Sequence, residues 1–261
     1  EKIIIDKDKT EKHSSKLSAE EQYNIGIKYF DKDTEEDYTK SFGYFEESAE
    51  KGYIESQYYL AHLYYTGNGV PKNNLKAGNW YEKAANQGHI ESQYILGTMF
   101  ETLHIVTQDN NDYESAASWY KKAADQGHST AQYYLGNMYA TGRGVSKNDK
   151  MAAYWHQKAA NQGHSTAQYS LGIMYMNGRG VNKNVIKSLN LIKKSASQGY
   201  VKAQNFLALK RYQSLSFCFK YYKDCMTADD EEYIKLWLNQ AINSSNTKES
   251  KIAEDRLKKW F

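Results

Sequence analysis

"HSTAQYYLGNMYATGRGV" occupies His128–Val145, and "HSTAQYSLGIMYMNGRGV" occupies His164–Val181. The two stretches are nearly identical and begin 36 positions apart. A catalytic loop is normally needed once, whereas near-copies at a fixed interval are typical of a repeated structural unit. The pair therefore predicts an array of structural repeats.

One apolar position aligns five copies of this unit. A small residue follows it directly, and another small residue precedes it by four positions; in the first four copies an aromatic residue follows it by four. This spacing places the apolar side chains on one face of a helix about three turns long. The small residues on that face predict the close approach of a second helix. The aligned position is always leucine: Leu60, Leu96, Leu135, Leu171 and Leu207.

A glycine turn and a second amphipathic segment follow the first helix. The turn reads "TGNGV" at 66–70, "TGRGV" at 141–145 and "NGRGV" at 177–181. Its first glycine suits a left-handed helix cap, and its second lets the chain reverse. The next segment carries Ala and Trp at helical spacing and ends in Gln-Gly, another helix C-cap. Each repeat is thus predicted to be helix–turn–helix, and the fold class is all-α.

These residues resemble the Sel-1-like repeat family, a relative of the tetratricopeptide repeat. The family motif, A-x-x-x-L-G-x-x-Y-x-x-G-x-G-V followed by W-Y-x-K-A-A-x-Q-G, is matched closely at 128–163 and 164–199 and well at 53–88. In 89–127 the second helix fits, but the Gly-x-Gly-Val turn is missing. The resemblance implies a right-handed α–α superhelical solenoid whose concave side is lined by the first helices.

The array is expected to cover residues 18–243, with 1–17 as a charged, flexible N-terminal arm and 244–261 as a C-terminal capping helix. The first and last units lack the turn glycines, as end repeats with a capping role commonly depart from the consensus. About six units are predicted: 18–52, 53–88, 89–127, 128–163, 164–199 and 200–243.

Charge is nearly balanced over the whole chain, with 34 basic and 31 acidic residues and a net charge of +3. That balance gives no electrostatic case for nucleic acid or an anionic membrane as a partner. No apolar run reaches the roughly 18–20 residues of a membrane span. The first sixteen residues do not have the pattern of a signal peptide.

The two cysteines bear on the compartment. If helix continued between Cys218 and Cys225 they would lie about 10 Å apart, too far for a disulfide. A turn between them would allow a disulfide and indicate an oxidising compartment, and the alternative is two buried free thiols. Because the sequence starts at Glu1, a removed secretory signal and a trimmed chain are both open. The resemblance favours a periplasmic or secreted protein, with a cytoplasmic location as the alternative.

Candidate binding residues follow from the helical angle of about 100° per residue. The side of each first helix opposite the core carries a recurrent tyrosine with more variable polar neighbours. Exposed tyrosine is a good anchor for a protein partner, whereas packing between repeats is the alternative role for these rings. The predicted partner-binding residues on the concave face are Tyr58, His62, Glu91, Tyr94, Glu101, Tyr133, Asn137, Tyr169 and Ile173.

The third repeat replaces the glycine turn with "ETLHIVTQDNND" at 101–112, three residues longer than in its neighbours. A longer loop that interrupts a strict repeat is a second candidate contact element, with tolerated drift as the alternative.

No catalytic, cofactor or metal site is predicted. His89, His128 and His164 recur one repeat apart, about 20 Å, so they cannot share a metal ion, and helix-start capping or solvent exposure is enough to explain them. Some members of the resembled family were described as penicillin-binding or β-lactamase-like, but the Ser-x-x-Lys patterns at Ser118 and Ser245 lack their partner motifs.

The sequence therefore predicts a non-enzymatic module that binds a protein partner on its concave face. The resemblance suggests a toxin-neutralising immunity protein or a secreted adaptor in a bacterium. The alternatives are an envelope assembly scaffold and, less favoured, a hydrolase of cell-wall or β-lactam substrates.

Overall fold

A computed structural model describes residues 17–210 and the isolated positions 239, 251, 252 and 255. The N-terminal arm beyond Leu17, the two cysteines, Ser245, most of the sixth unit and most of the C-terminal helix lie outside the described residues. The chain divides after His128 into two compact units. We call their described parts the N-unit (17–128) and the C-unit (129–210).

The described residues form helices joined by turns, and residues 17–210 contain no strand. Helices alternate as the first and second members of successive repeats, and neighbours in the chain pack on each other within each unit. The all-α architecture of helix pairs predicted from the sequence is confirmed. The N-unit contains α1 (Ala19–Phe30), α2 (Glu35–Glu50), α3 (Ile54–Thr66), α4 (Asn74–Asn86), α5 (Ile90–Thr107) and α6 (Asn110–Asp125). The C-unit contains α7 (Ser129–Thr141), α8 (Asp149–Asn161), α9 (Ser165–Asn177) and α10 (Val185–Ser197), and residues 201–210 are helical.

Turn and cap residues set the helix boundaries as the sequence predicts. Gly67 and Gly178 end α3 and α9 in the left-handed conformation, at φ 86° and 70°. Asparagine then begins the second helix, because the side chains of Asn73 and Asn184 accept a hydrogen bond from the third residue of α4 and α10. Helices α3 and α9 therefore end, and α4 and α10 begin, at residues whose chemistry favours that position.

Each helix pair closes on a small residue of the first helix. A Cβ added at Gly97 would lie 2.6 Å from the ring of Tyr120, and one at Gly136 would lie 2.7 Å from Nδ1 of His156. The large residue of the second helix therefore occupies the space that glycine leaves, as the alignment predicts. This large residue is the one after the repeated tryptophan position. It is fully buried in each pair, whereas Trp80 and Trp119 are only half-buried.

Neighbouring repeats are linked by glutamine side chains, a feature that was not predicted from the sequence. In α3, α5, α9 and the helical segment 201–210, a buried glutamine donates its amide to a backbone carbonyl of the preceding second helix. The corresponding glutamines of α3, α5, α7 and α9 accept an amide hydrogen bond from the glutamine of the next Gln-Gly. The donations to carbonyls are Gln57 to Ala49, Gln93 to Ala85, Gln168 to Ala160 and Gln204 to Ala196, at 3.0–3.3 Å. The glutamine pairs are Gln87–Gln57, Gln126–Gln93, Gln162–Gln132 and Gln198–Gln168, at 2.7–2.8 Å.

The loop predicted at 101–112 is wrong. Helix α5 continues through Thr107 and is 18 residues long, compared with 13 for α3. Without a turn glycine nothing stops the helix at the usual place, and it ends where Gln108 adopts a left-handed conformation with φ 55°. Asp109 then caps α6 directly. The odd repeat thus carries a longer first helix.

Candidate protein-binding surface

The residues predicted to bind a partner lie on the first helices α3, α5, α7 and α9. We call the side of α1, α3 and α5 that carries Tyr23 and the predicted residues the first-helix face of the N-unit. The corresponding side of α7 and α9 is the first-helix face of the C-unit.

The recurrent tyrosines lie at the seams between repeats. Each ring contacts the ring of the residue that precedes the next first helix, which is histidine or tyrosine. Both partners are half-buried. The ring centroids are 5.1 Å apart for Tyr23–Tyr53, 4.8 Å for Tyr58–His89, 4.7 Å for Tyr94–His128, 5.1 Å for Tyr133–His164 and 5.4 Å for Tyr169–Tyr200.

The tyrosines therefore pack between repeats, which is the alternative role expected from the sequence, and each still has part of its surface in solvent. The histidines in these pairs also cap helices: Nδ1 of His89 accepts from Ser92 N, and Nδ1 of His164 accepts from Ala167 N, both at 3.2 Å. A tyrosine ring that packs against a histidine fixed in this way has little rotamer freedom left to lose. Partner binding by these tyrosines remains a prediction.

The other predicted residues are also half-buried. His62 stacks on Tyr58 with centroids 6.3 Å apart and also contacts Phe30. Glu91 lies 3.2 Å from Nε2 of His128, and its side chain is 44% exposed.

Glu101 accepts a hydrogen bond of 3.0 Å from the hydroxyl of Tyr120. Ile173 packs against a buried cluster that includes Ile192 and Leu207. Asn137 occupies the position on α7 that Ile173 occupies on α9. Glu101 and Ile173 thus have structural contacts as well as accessible surface.

Burial sets the protonation of this surface. It raises the pKa of Tyr58, with Glu91 adding a smaller effect, and it raises the pKa of Tyr23 to about 12. Burial also lowers the pKa values of His62 and His89. Tyr23, Tyr58, His62 and His89 are accordingly neutral at pH 7, so the Tyr58–His89 pair is uncharged hydrogen-bonding and apolar surface.

Five copies of the Sel1 repeat model match this sequence, at residues 22–53, 54–89, 90–128, 129–164 and 165–200. Together they cover more than half of the chain. The chain belongs to the Sel1 repeat family. Sel1 repeat proteins are protein-interaction modules and are in general non-catalytic scaffolds. The matched segments follow the helix pairs of the structure, and the first match includes the degenerate N-terminal repeat.

Solved structures of Sel1 repeat proteins share this fold, whereas the curated proteins contain no match to the sequence. A protective antigen of uropathogenic Escherichia coli strains with an SLR fold is 28% identical, with a TM-score of 0.72. The match covers 88% of this chain and 47% of the antigen, so the chain spans about half the length of that relative.

A Sel1 repeat protein from Oxalobacter formigenes is 25% identical with a TM-score of 0.66, covering 88% of this chain and 87% of the other. A more distant resemblance, 24% identical with a TM-score of 0.45, is to an immunity protein from Pseudomonas aeruginosa, covering 86% and 81% of the two chains. The α–α superhelical solenoid class expected from the sequence is confirmed by the family and the first two structures.

Charge is segregated between the Sel1 repeats of the two units. Residues 17–128 contain nine basic and eighteen acidic residues, a net charge of −9, whereas residues 129–210 contain eleven basic residues and one acidic residue, a net charge of +10. The whole-chain value of +3 conceals this difference. The segregation was not predicted, although a charge count made repeat by repeat would have found it.

The extension of α5 exposes apolar side chains. Ile105 and Val106 are 72% and 80% exposed, and Leu103 is 44% exposed. Ile105 and Val106 are thus accessible on a helix and not in the loop predicted for 101–112.

The Ser-x-x-Lys candidate that the structure describes lies on the surface of α6. Ser118 is exposed, and Lys121 forms an ion pair of 2.6 Å with Asp125. Within residues 17–210, no three His, Cys, Asp or Glu side chains gather in a group that could hold a metal ion. None of the described helices combines the length and hydropathy that a membrane crossing requires.

Proposed function

We propose that this chain is a non-catalytic scaffold that binds a protein partner through a first-helix face. The observation that carries the proposal is the row of ring pairs at successive seams, in which each tyrosine of a first helix is held by the residue that starts the next repeat. The row repeats at regular intervals within each unit, as a surface for an extended partner would require.

Preorganisation is the physical reason for this choice. Ordering a flexible side chain at an interface costs about 0.5–1.5 kcal/mol, and a ring already packed on its neighbour avoids most of that cost. Tyrosine also offers a large apolar area with a hydroxyl at its rim. The polar positions between the rings differ among repeats, with Glu91 on α5 and Asn137 on α7. Such variation along a constant aromatic row would supply specificity.

Affinity capture with matched variants tests the proposal. The purified chain is compared with Tyr133→Leu and Asn137→Arg on the first-helix face, and with Tyr154→Ala on α8, a second-helix tyrosine that is 47% exposed. Circular dichroism confirms that each variant is folded. We expect a protein partner that the wild type and Tyr154→Ala retain and the first-helix variants lose. A partner retained by the first-helix variants and lost by Tyr154→Ala would contradict the proposal.

The identity of the captured protein separates the finer roles suggested by the family. A toxin whose activity is blocked by the purified chain would support an immunity role, and a host protein would support a secreted adaptor. Several co-purifying envelope subunits would support an assembly scaffold. As part of the same proposal we place the chain in the periplasm or outside the cell. Recovery of the native protein only in the cytoplasmic fraction would contradict that location.

A further inference from the structure

Six of the eleven basic residues in 129–210 lie along one edge of the C-unit. We call this the basic edge; it consists of the turns between first and second helices together with the first turns of α8 and α10. All its lysines and arginines are exposed. The only carboxylate of residues 129–210 is Asp149, which accepts a hydrogen bond of 3.0 Å from Nε of Arg179. The cations of the basic edge are Arg143, Lys147, Lys150, Arg179, Lys183 and Lys187.

Contacts between the two repeats make this edge continuous. The turn that carries Arg179 packs closely on the start of α8. A Cβ added at Gly180 would overlap the carbonyl oxygen of Asp149 and lie 2.9 Å from the amide nitrogen of Lys150. Lys147 and Lys183 occupy the same turn position in successive repeats, 36 residues apart. The edge therefore presents cations from both repeats side by side.

The surface beside the edge is uncharged. Helices α7 and α9 contain no Lys, Arg, Asp or Glu, and both lead directly into the turns of the basic edge. Their outward side chains include Tyr133, Asn137, Ile173 and Met176, which are half-buried. A ligand that reaches the cations from this side must also cover apolar and aromatic surface.

We propose that the C-unit binds an acidic protein segment with apolar residues among its carboxylates. The carboxylates would pair with the basic edge, and the apolar residues would lie on α7 and α9. A nucleic acid suits this surface less well, because its phosphates need cations beneath the bound strand, and α7 and α9 supply none. The inference rests on the proposed function and adds the chemistry of the partner. Complementary charge would also steer the encounter and make it sensitive to salt.

The test uses the full-length chain and three labelled probes. These are a peptide of about 20 glutamate and leucine residues, a lysine and leucine peptide of the same length, and a single-stranded DNA of about 20 nucleotides, titrated by fluorescence anisotropy at about 50 mM and about 300 mM salt. The edge variant is Lys147→Gln/Lys150→Gln/Lys183→Gln. The control variant is Lys40→Gln/Lys72→Gln/Lys121→Gln, which removes three exposed lysines from the N-unit.

We expect the acidic peptide to bind the wild type and the control variant with similar affinity. It should bind the edge variant about tenfold more weakly, and its binding to the wild type should weaken at high salt. Replacing the same three edge lysines by arginine should preserve binding. Equal binding by the edge variant and the wild type would overturn the inference. Tighter binding of the DNA than of the acidic peptide would also overturn it, in favour of a nucleic-acid site. Self-association of the wild type in sedimentation at low salt, lost in the edge variant, would overturn it in favour of a second copy of this chain.

The natural partner separates this inference from the proposed function. A captured partner that needs Asn137 but binds the edge variant normally would overturn the acidic-segment inference and leave the proposed function standing. Peptide binding at the edge, combined with capture that ignores the first-helix variants, would contradict the proposed function.

Discussion

His156 gives the C-unit a specific sensitivity to acid. Its side chain is 2% exposed and packs against Gly136, just as Tyr120 packs against Gly97 in the preceding repeat. Its Nδ1 atom has no hydrogen-bond partner among the described residues. Burial lowers the pKa of His156 from 6.5 to about 4, and the nearby His164 and Arg179 act in the same direction. The folded C-unit therefore holds this imidazole in its neutral form.

The sign and size of the effect follow from linkage. In the unfolded chain His156 takes up a proton near pH 6.5, whereas in the folded chain it does so only near pH 4. The unfolded state thus binds more protons between these values, and the free energy of unfolding falls as pH falls through that window. A difference of this size corresponds to about 3 kcal/mol of stability that is present at pH 7 and lost by pH 4.

The assay is urea unfolding, followed by tryptophan fluorescence, at pH values between 7 and 4. His156→Tyr serves as the comparison, because tyrosine occupies this position in α4 and α6 as Tyr81 and Tyr120. We expect the wild type to lose about 3 kcal/mol more than the variant over this range. The same pH dependence in both proteins would refute the reasoning, and so would an NMR titration of His156 near pH 6.5.

Three further predictions concern the helix pairs. Leu135→Ala should lower the free energy of unfolding by about 2–5 kcal/mol in urea denaturation because the side chain is 1% exposed. Leu75→Ala is the control: its side chain is 76% exposed, and the same experiment should show a change of less than about 0.5 kcal/mol. Gly180→Ala should cost more than about 2 kcal/mol because it adds a backbone clash to a positive φ of 71°. Gly163→Ala should cost only about 1–2 kcal/mol, because Gly163 has a positive φ of 89° but open space around it. Equal thermal shifts of the two variants would contradict the close contact between Gly180 and the start of α8. Gln168→Leu should cost about 1–3 kcal/mol by removing two side-chain hydrogen bonds at a buried position, the donation to the carbonyl of Ala160 and the acceptance from the Gln198 amide, and a neutral result in urea unfolding would argue against the glutamine link.

The helix pairs could be predicted from the sequence because their signals are local. Leu135 and Gly136 recur at a fixed place in each copy, and helical spacing alone puts them on one face. Turn glycines such as Gly142 need a positive φ, which the structure shows at 78°. These constraints act within about fifteen residues, so the pattern contains them.

Contacts between repeats were harder to predict. Gln57 interacts with Ala49 and with Gln87, 8 and 30 residues away, and a polar residue at such a position is normally expected on the surface. The end of α5 was missed for another reason. The segment 101–107 has no helix-stopping residue, but the expectation of a turn at the same place in every repeat outweighed its own helical propensity.

The candidate surface was predicted in register but not in environment. The helical angle placed Tyr58 and Tyr133 at one recurrent position of the first helices, yet it could not show that both rings would pack against the core clusters or that His89 and His164 would cover part of each ring. The segregation of charge was available in the sequence throughout. It was missed because the net charge was taken over the whole chain, where the opposite charges of the two units cancel.

Photo-crosslinking tests most directly whether the first helices bind the partner. A benzoylphenylalanine is placed at Asn137 on α7 or, in a separate protein, at Tyr154 on the exposed side of α8. Each protein is irradiated with the captured partner and analysed by mass spectrometry. We expect a crosslinked complex from position 137 and none from position 154. Crosslinking from position 154 alone would place the partner on the second helices and contradict the account.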